Sequence, residues 1–321
     1  MANKWTFENI DLELAVAWAI SRSTTHVKKN IIVNYGNFQS EISPNSHYGE
    51  TPAKLLEEID LIQSLDVTTL DRWDEVSDQF TSSFAFGIES CLVQAQAAAE
   101  DKTLYEYLEI DPPAQYTATS FSIPIMEPEK IQNYVQKVSR FPVLKLKINR
   151  DNATILTEQT LKHFSKKIRI DGNECFRNIE EFMNFADQFP AERVEFMEQP
   201  FAADNHQAYL ALREQNPYPI IADESVLKIV DWNLIQQQFD GVNVKLMKAA
   251  GLRTAVSQLK KAKELGLQTM IGCMIETSIG IAHALRLTSL ADYVDLDGHL
   301  LIGQDPFQQI EERDGMLKLN V

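Results

Sequence analysis

The sequence predicts an α/β protein: a closed (β/α)8-type barrel of parallel strands that follows a smaller N-terminal α+β unit. From residue 116 onward, eight short apolar runs alternate with amphipathic stretches. The runs are continuously apolar, which is typical of parallel strands buried on both faces. An open doubly wound sheet is the competing prediction, but no G-x-G-x-x-G motif follows any run and the runs are evenly spaced. We therefore predict the barrel.

The predicted barrel strands are eight apolar runs, at residues 119–125, 143–148, 168–170, 194–197, 220–222, 242–246, 269–273 and 293–296. The amphipathic stretches between them predict helices, of which the clearest lie at residues 128–138, 179–189, 207–215 and 252–265. Alternation of strands with helices implies parallel pairing through right-handed crossovers. Each predicted strand therefore ends at the same rim of the barrel.

The N-terminal unit mixes extended and helical patterns. Extended runs at residues 15–20 and 31–35 are separated by polar segments at 21–29 and 43–50, which predict loops. Thr51 and Pro52 predict the start of a helix, because threonine caps helices and proline suits the first turn. The apolar face of this helix is formed by Leu55, Leu56, Ile59 and Ile62. A longer helix is predicted from about 84 to 107.

Composition excludes several classes of partner. The chain has 321 residues and a formal net charge of −16, which repels the phosphates of nucleic acids and anionic lipids. No uninterrupted apolar stretch approaches the ~18 residues of a membrane helix. The three cysteines of the chain, Cys91, Cys175 and Cys273, are far apart and odd in number, which predicts reduced thiols. We expect a cytoplasmic protein without nucleic-acid or membrane partners.

Carboxylates close three successive strands of the predicted barrel. Asp171, Glu198 and Asp223 follow one another at steps of 27 and 25 residues, so one residue of each repeat reaches the same rim. Any one of them alone has the alternative role of capping the next helix. Three together repel one another unless a cation lies between them. Oxygen ligands without His or Cys favour a hard ion, and we expect one Mg²⁺.

Two lysines face this rim from opposite sides. Lys147 and Lys245 close the second and sixth strands, and a lysine whose pKa is lowered in a cationic, desolvated site acts as a general base. The alternative is a pair of surface lysines. Lys145 lies on the same face as Lys147. A buried face with two lysines needs negatively charged neighbours, which the carboxylates supply.

The residues at these strand ends resemble the muconate-lactonizing branch of the enolase superfamily. The matching segments are 144–148 (LKLKI), 170–173 (IDGN), 196–200 (FMEQP), 222–225 (ADES) and 242–246 (VNVKL). Within that branch, segments 271–278 (IGCMIETS) and 295–298 (DLDG) resemble the dipeptide epimerases, the group that includes the Ala-Glu epimerases. His299 departs from this pattern, since the family often has proline there.

The resemblance implies a modified (β/α)7β barrel over residues 116–302. Residues 1–115, completed by about 303–321, would form an α+β domain that caps its mouth, with segments 21–27 and 43–49 contacting the substrate side chain. The implied reaction is a two-base 1,1-proton transfer. It runs through an enediolate and inverts the α-carbon of the C-terminal residue of a dipeptide, Ala-Glu or a related one. A lysine or histidine base paired with Mg²⁺ is general in this superfamily.

The resemblance also implies residue roles. Lys147 and Lys245 form the acid-base pair, and Asp171, Glu198 and Asp223 hold the metal. Substrate contacts are expected from Lys145, Asp295, Asp297, Met274, Glu276 and Arg22. Asp295 and Asp297 would bind the α-ammonium, and Arg22 would pair with an acidic side chain unless it is an ordinary surface arginine. Asn173 and Glu224, together with Gln199, would support the metal site from behind its ligands.

Two other functions stay open at this point. o-Succinylbenzoate synthase, N-succinylamino acid racemase and cycloisomerase share the same metal and lysines, but their substrates lack a free α-ammonium. A catalytically silent binding protein is the other possibility, and its expected sign is the loss of a lysine or a metal ligand. The sequence keeps both lysines and all three predicted metal ligands. We expect a small-molecule dipeptide as the partner and a homo-oligomer, since even-numbered assemblies are frequent among such barrels.

Overall fold

A computed structural model describes residues 4–20 and 23–320 of the chain. Over these residues it contains a three-stranded antiparallel sheet, an eight-stranded parallel sheet and a small C-terminal sheet of three strands. The strands are β1 (Trp5–Ile20), β2 (Ser23–Tyr35), β3 (Phe38–Ile42), β4 (Thr117–Ala118), β5 (Ser120–Ile123), β6 (Val143–Lys147), β7 (Ile168–Asp171), β8 (Val194–Glu198), β9 (Ile220–Ala222), β10 (Gly241–Lys245), β11 (Gln268–Gly272), β12 (Tyr293–Asp295), β13 (Ile310–Arg313) and β14 (Met316–Leu319). The helices are α1 (Pro52–Ser64), α2 (Leu70–Val76), α3 (Ser82–Ala99), α4 (Leu104–Leu108), α5 (Pro128–Val138), α6 (Ala153–His163), α7 (Ile179–Ala186), α8 (His206–Arg213), α9 (Trp232–Gln238), α10 (Leu246–Ala249), α11 (Leu252–Glu264) and α12 (Ser278–Leu285).

The eight parallel strands follow one another in chain order from β5 to β12, with helices in each of the seven connections. After β12 the chain continues into the hairpin β13–β14, which pairs with β4. This arrangement confirms the predicted (β/α)7β barrel with an N-terminal α+β unit. The apolar core is almost continuous across the strands and the helices that cover them.

Strand register brings the polar strand ends into one layer. Lys147 pairs in register with Asp171, and Asp171 with Glu198, across three neighbouring strands. Lys245, Gly272 and Asp295 pair in the same way across three others. Because successive side chains of a strand alternate between its faces, the register decides which of these residues point into the barrel. The layer therefore assembles residues that are far apart in the sequence.

The N-terminal hairpin is longer than predicted. β1 and β2 pair from Trp5–Tyr35 to Ile20–Ser23, with an irregularity between Glu13 and Trp18. The predicted loop at 21–29 is therefore wrong from Ser23 onward. Thr24 and Thr25 are β-branched and pair with Ala19 and Trp18, so cross-strand pairing extends a segment whose polar composition predicted a loop.

The first helix begins as predicted. The Thr51 hydroxyl accepts a hydrogen bond from the Lys54 amide at 3.2 Å. Leu55 and Ile62 are buried, but Leu56 is 61% exposed, so its place on the apolar face was wrong. Adjacent residues of a helix point about 100° apart, which leaves Leu56 outside the buried stripe.

The helix predicted from 84 to 107 is two helices, α3 and α4. Asp101 adopts φ +53°, and the Lys102 amide returns to the Ala97 carbonyl at 2.9 Å, which ends α3. Thr103 and Glu106 then form a capping box that starts α4. The prediction of one continuous helix was wrong because a helix end and a new cap interrupt it.

The N-terminal unit packs against the ends of the barrel strands. Asn30 and Ser43 both donate side-chain hydrogen bonds to the Ile275 carbonyl at 3.0 Å. Residues 301–303 bond to the backbone of β1, whereas the C-terminal hairpin bonds to β4. The division into 1–115 and 116–302, with about 303–321 returning to the first unit, stays a prediction.

Among the described residues, no helix combines the length and the apolar character that crossing a membrane requires.

Candidate active site

A cavity of about 180 Å³ lies where the barrel strands end beneath the N-terminal sheet. The N-terminal unit lines it with Trp18, Thr25, Lys28, Asn45 and Tyr48. The barrel side lines it with Ser122, Lys145, Lys147, Asn173, Asp223, Glu224, Lys245, Cys273, Met274, Ile275, Asp295, Asp297 and Leu301. Most of the predicted site residues therefore meet in one place, and segments 21–27 and 43–49 each supply lining residues.

The three predicted metal ligands converge beneath this cavity. Asp171, Glu198 and Asp223 are buried, and one carboxylate oxygen of each lies within 4.8 Å of the other two. Burial and the Asp171 charge raise the pKa of Glu198 to about 7. Three buried oxygen ligands this close fit a hard divalent cation such as Mg²⁺, which would offset their repulsion.

Lys145 is held among carboxylates. Its Nζ lies 3.0 Å from Asp171 Oδ2, 2.7 Å from Glu198 Oε2 and 2.9 Å from Asp295 Oδ2. Burial acts to lower the pKa of Lys145, but Asp295 and Glu198 outweigh it and raise the pKa well above its usual value. Lys145 is therefore a fixed cation next to the ligand set.

The two predicted acid-base lysines reach the cavity from different strands. Lys147 Nζ lies 2.5 Å from Asp171 Oδ2, and Lys245 Nζ lies 2.8 Å from Asp223 Oδ2. Burial acts to lower the pKa of Lys245, but the charges of Asp223, Glu198 and Asp171 together outweigh it and raise the pKa, with Asp223 contributing the most. In the protein alone, the pKa of Lys245 is therefore raised, whereas the sequence predicted that it would be lowered. A cation that takes up the Asp223 charge would remove the main cause of this increase.

The predicted supporting residues hold the strand ends in place. Gln199 Oε1 accepts the Asp223 amide at 2.8 Å, and Gln199 Nε2 donates to Ser225 Oγ at 2.9 Å. The Asn173 amide donates to Asp171 Oδ1 at 3.0 Å, and its side chain donates to Glu224 at 3.3 Å. Gln199 and Asn173 adopt φ values of 37° and 41°, a left-handed conformation that is uncommon for such residues and often found at functional sites.

The acidic pair of the last barrel strand lines the cavity beside Lys145. Asp295 Oδ1 accepts the Ser120 hydroxyl at 2.5 Å, and Asp297 Oδ2 accepts the Ser122 amide at 2.6 Å. Burial and the neighbouring Asp295 raise the pKa of Asp297 to about 7. Two acidic groups at a cavity wall form a site for a cation such as an ammonium.

One predicted substrate contact, Glu276, is absent from the cavity lining. Its Oε1 accepts the Met274 amide at 2.8 Å, and its other oxygen points towards Glu41 of the N-terminal sheet. Met274 lines the cavity as predicted. Arg22 lies outside the described residues, so its contact stays a prediction.

Sequence reasoning missed two buried residues beside the ligands. Lys248 Nζ lies 2.5 Å from Asp223 Oδ1, and Asn243 Nδ2 donates to Glu198 Oε1 at 2.9 Å. Asn243 lies two residues before Lys245, so the strand period alone places both on one face. Lys248 could have been identified because it is the second lysine in an otherwise apolar run.

Comparison with known proteins assigns the chain to a family. The enolase C-terminal domain-like family model matches residues 128–315. The L-Ala-D/L-amino acid epimerase of Pedosphaera parvula is 32% identical over 332 aligned residues, which cover 96% of this chain and 93% of that protein. The hydrophobic dipeptide epimerase of a Flavobacteria bacterium is 28% identical and covers 94% of this chain and 91% of its own length.

A solved structure shares the fold. The dipeptide epimerase of Enterococcus faecalis, complexed with Mg and the dipeptide L-Leu-L-Tyr, superposes with a TM-score of 0.86 and 22% identity. The match covers 100% of this chain and 98% of that one. The family match over the barrel and the full-length relative together show that this chain belongs to the enolase superfamily.

Proposed function

We propose that this protein is a Mg²⁺-dependent dipeptide epimerase, an isomerase that inverts the α-carbon of the C-terminal residue of Ala-Glu or a related dipeptide. The observation that carries the proposal is one cavity with three chemical parts. It combines the carboxylate cluster of Asp171, Glu198 and Asp223 with two lysines and the acidic pair of the last strand. Relatives over nearly the whole chain are named as epimerases of such substrates.

Each part matches one part of a dipeptide. Asp295 and Asp297 bind the free α-ammonium, and Lys145 donates to the carboxylate of the C-terminal residue. When bound, Mg²⁺ supplies positive charge that stabilises the negative charge developing on that carboxylate. Lys147 and Lys245 work from opposite faces of the α-carbon: one removes the proton and the other returns it, which inverts the centre. The same lysines exchange roles in the reverse direction.

The acidic pair distinguishes this proposal from its alternatives. The substrates of o-succinylbenzoate synthase, N-succinylamino acid racemase and cycloisomerase have no free α-ammonium. Lys145, the ion-pair partner of Asp295, is shared with Asp171 and Glu198, so a substrate without that cation leaves excess negative charge buried at the acidic pair, which is unfavourable. The pair therefore favours a dipeptide. A cytoplasmic location and a homo-oligomer remain our expectations for this enzyme.

The test is turnover in D₂O of dipeptides with acidic, basic and hydrophobic C-terminal residues, each paired with its N-acetyl and N-succinyl derivative. We expect free dipeptides to gain one deuterium on each inversion and the acylated partners to react far more slowly, measured as kcat/KM by mass spectrometry. Equal or faster reaction of the N-acyl compounds would contradict the dipeptide assignment. Full activity in excess chelator would contradict the Mg²⁺ requirement.

A further inference from the structure

A buried guanidinium lies one layer below the site, inside the barrel. Arg169 precedes Asp171 by two residues on β7, so both side chains point to the same face. Its guanidinium donates to Glu195 Oε2 and to the Val294 carbonyl, both at 2.7 Å. Its carbon Cζ also lies 5.1 Å and 5.2 Å from the ring centres of Phe196 and Tyr293. These contacts fix the position of Arg169.

Arg169 also determines the direction of a hydrogen bond. One of its nitrogens lies 3.2 Å from Ser120 Oγ, and a guanidinium only donates, so the Ser120 oxygen accepts. The hydroxyl proton of Ser120 is then available to an acceptor. Asp295 Oδ1 lies 2.5 Å away, whereas the Val294 carbonyl lies at 3.4 Å. The proton therefore points to Asp295.

Asp295 is held at both oxygens. Ser120 donates to Oδ1, and Lys145 donates to Oδ2 at 2.9 Å. Each carboxylate oxygen can accept more than one hydrogen bond, so both retain capacity for a substrate cation. A carboxylate held by two donors cannot rotate, and its remaining lone pairs keep one direction.

This contact crosses the seam of the barrel. Over the part of the chain that the structure describes, β5 pairs only with β6 and β12 only with β11. Side chains cross the seam instead: Ser120 of β5 bonds Asp295 of β12. Just before β5, Thr119 Oγ1 accepts the amide of Leu296, which follows β12, at 2.9 Å. Among the described residues, no backbone ladder holds Asp295 towards β5 at this seam, and of these contacts only the Ser120 hydroxyl touches its carboxylate.

We propose that Ser120, with its hydroxyl oriented by Arg169, is a positioning residue for recognition of the dipeptide ammonium. It keeps Asp295 pointed at the place where the ammonium binds. The inference rests on the proposed function, because it assigns Asp295 to that cation. Ser120 does not line the cavity and acts only through Asp295.

The test compares Ser120→Ala and Ser120→Thr with the wild type. Loss of a hydrogen bond to a charged group predicts a KM for the dipeptide about 10- to 100-fold higher in Ser120→Ala. We expect kcat and the Mg²⁺ affinity to change little, and Ser120→Thr, which keeps the hydroxyl, to restore the KM. Arg169→Met, which removes the donor that orients Ser120, should raise the KM in the same direction.

Thr119→Val is the matched control, because it removes a hydroxyl from the same seam without touching Asp295. It should lower the melting temperature and leave the KM unchanged. A wild-type KM in an active Ser120→Ala variant would overturn the inference alone, as would equal KM increases in Ser120→Ala and Thr119→Val. A wild type that exchanges no dipeptide proton would overturn the proposed function and this inference together.

Discussion

The lysines of the site differ in how many carboxylates surround them. Lys145 contacts three carboxylates within 3.0 Å, which stabilise its charge too strongly for it to release a proton. Lys147 and Lys245 each form one ion pair among the described residues and line the cavity. At the residue scale, this difference supports the proposal that Lys147 and Lys245 transfer the protons and that Lys145 supplies a fixed positive charge.

Replacing either proton-transfer lysine should stop inversion. Lys147→Ala and Lys245→Ala should each lose at least ~10²- to 10⁴-fold in epimerisation, the usual contribution of a positioned acid or base. Each variant should still exchange the α-proton of one epimer, since the remaining lysine serves that face. Deuterium uptake from the two epimers, measured separately by NMR, checks both statements. Lys162→Ala, on the exposed face of α6, is the control, and wild-type inversion by either active-site variant would exclude the assignment.

At the scale of elements, neighbouring strands leave room for each other's side chains. Gly272 ends β11 next to β10, and a Cβ there would lie 2.5 Å from Asn243 Oδ1. Asn243 in turn donates to the Glu198 carboxylate of β8 at 2.9 Å. The missing side chain at Gly272 thus lets Asn243 orient a metal ligand two strands away.

Filling that space should weaken metal binding. Gly272→Ala should displace Asn243 from Glu198 and lower the Mg²⁺ affinity about 10- to 100-fold, as loss of a partner behind a ligand usually does. Isothermal titration with Mg²⁺ measures this directly. Gly303→Ala is the control, since its Cβ would meet the Glu13 carbonyl at an ordinary 3.5 Å. Unchanged Mg²⁺ affinity in Gly272→Ala would show that Asn243 does not orient Glu198.

At the scale of the whole molecule, two buried carboxyl groups join the N-terminal sheet to the barrel. Glu41 accepts hydrogen bonds from Asn30, Thr277 and Gly280. A Cβ at Gly280 would meet an oxygen of Glu276 at 2.3 Å and one of Glu41 at 3.0 Å, so this glycine leaves the space in which the two groups approach. Burial and the Glu41 charge raise the pKa of Glu276 to about 8. Glu276 therefore keeps its proton at neutral pH.

The free energy of unfolding should fall as the pH rises towards about 8, the pKa of Glu276 in the native protein. The unfolded chain releases the Glu276 proton near its usual pKa of 4.5, whereas the native protein holds it to about 8. Between these values the unfolded state binds fewer protons, so the free energy of unfolding decreases with pH, by at most ~1.4 kcal/mol per pH unit for one group. Glu276→Gln cannot titrate and should flatten this dependence. Urea unfolding across the window measures it, and Glu57→Gln, at an exposed carboxylate of α1, should leave the slope unchanged. Identical slopes in wild type and Glu276→Gln would contradict the prediction.

Local pattern was sufficient for the order of the barrel strands and for their polar ends. The predicted strand at 220–222 and the predicted helix at 128–138 have the observed bounds, because period and residue type are properties of short segments. The carboxylates and lysines at the strand ends followed from the even spacing of the repeats. Local pattern was wrong for the predicted loop from residue 23 to 29 and for the single helix at 84–107. There, pairing with β1, and a helix end at Asp101 followed by a new cap at Thr103, decided the conformation.

The barrel, the net charge of −16 and the set of groups available for metal and proton chemistry could all be read from the sequence. How those groups are held depends on contacts between distant parts of the chain. Ser120 meets Asp295 across 175 residues of chain, and Glu276 turns towards Glu41 instead of the cavity. Contacts of this kind depend on strand register and on the closing of the barrel, which bring distant residues together and which no local periodicity encodes.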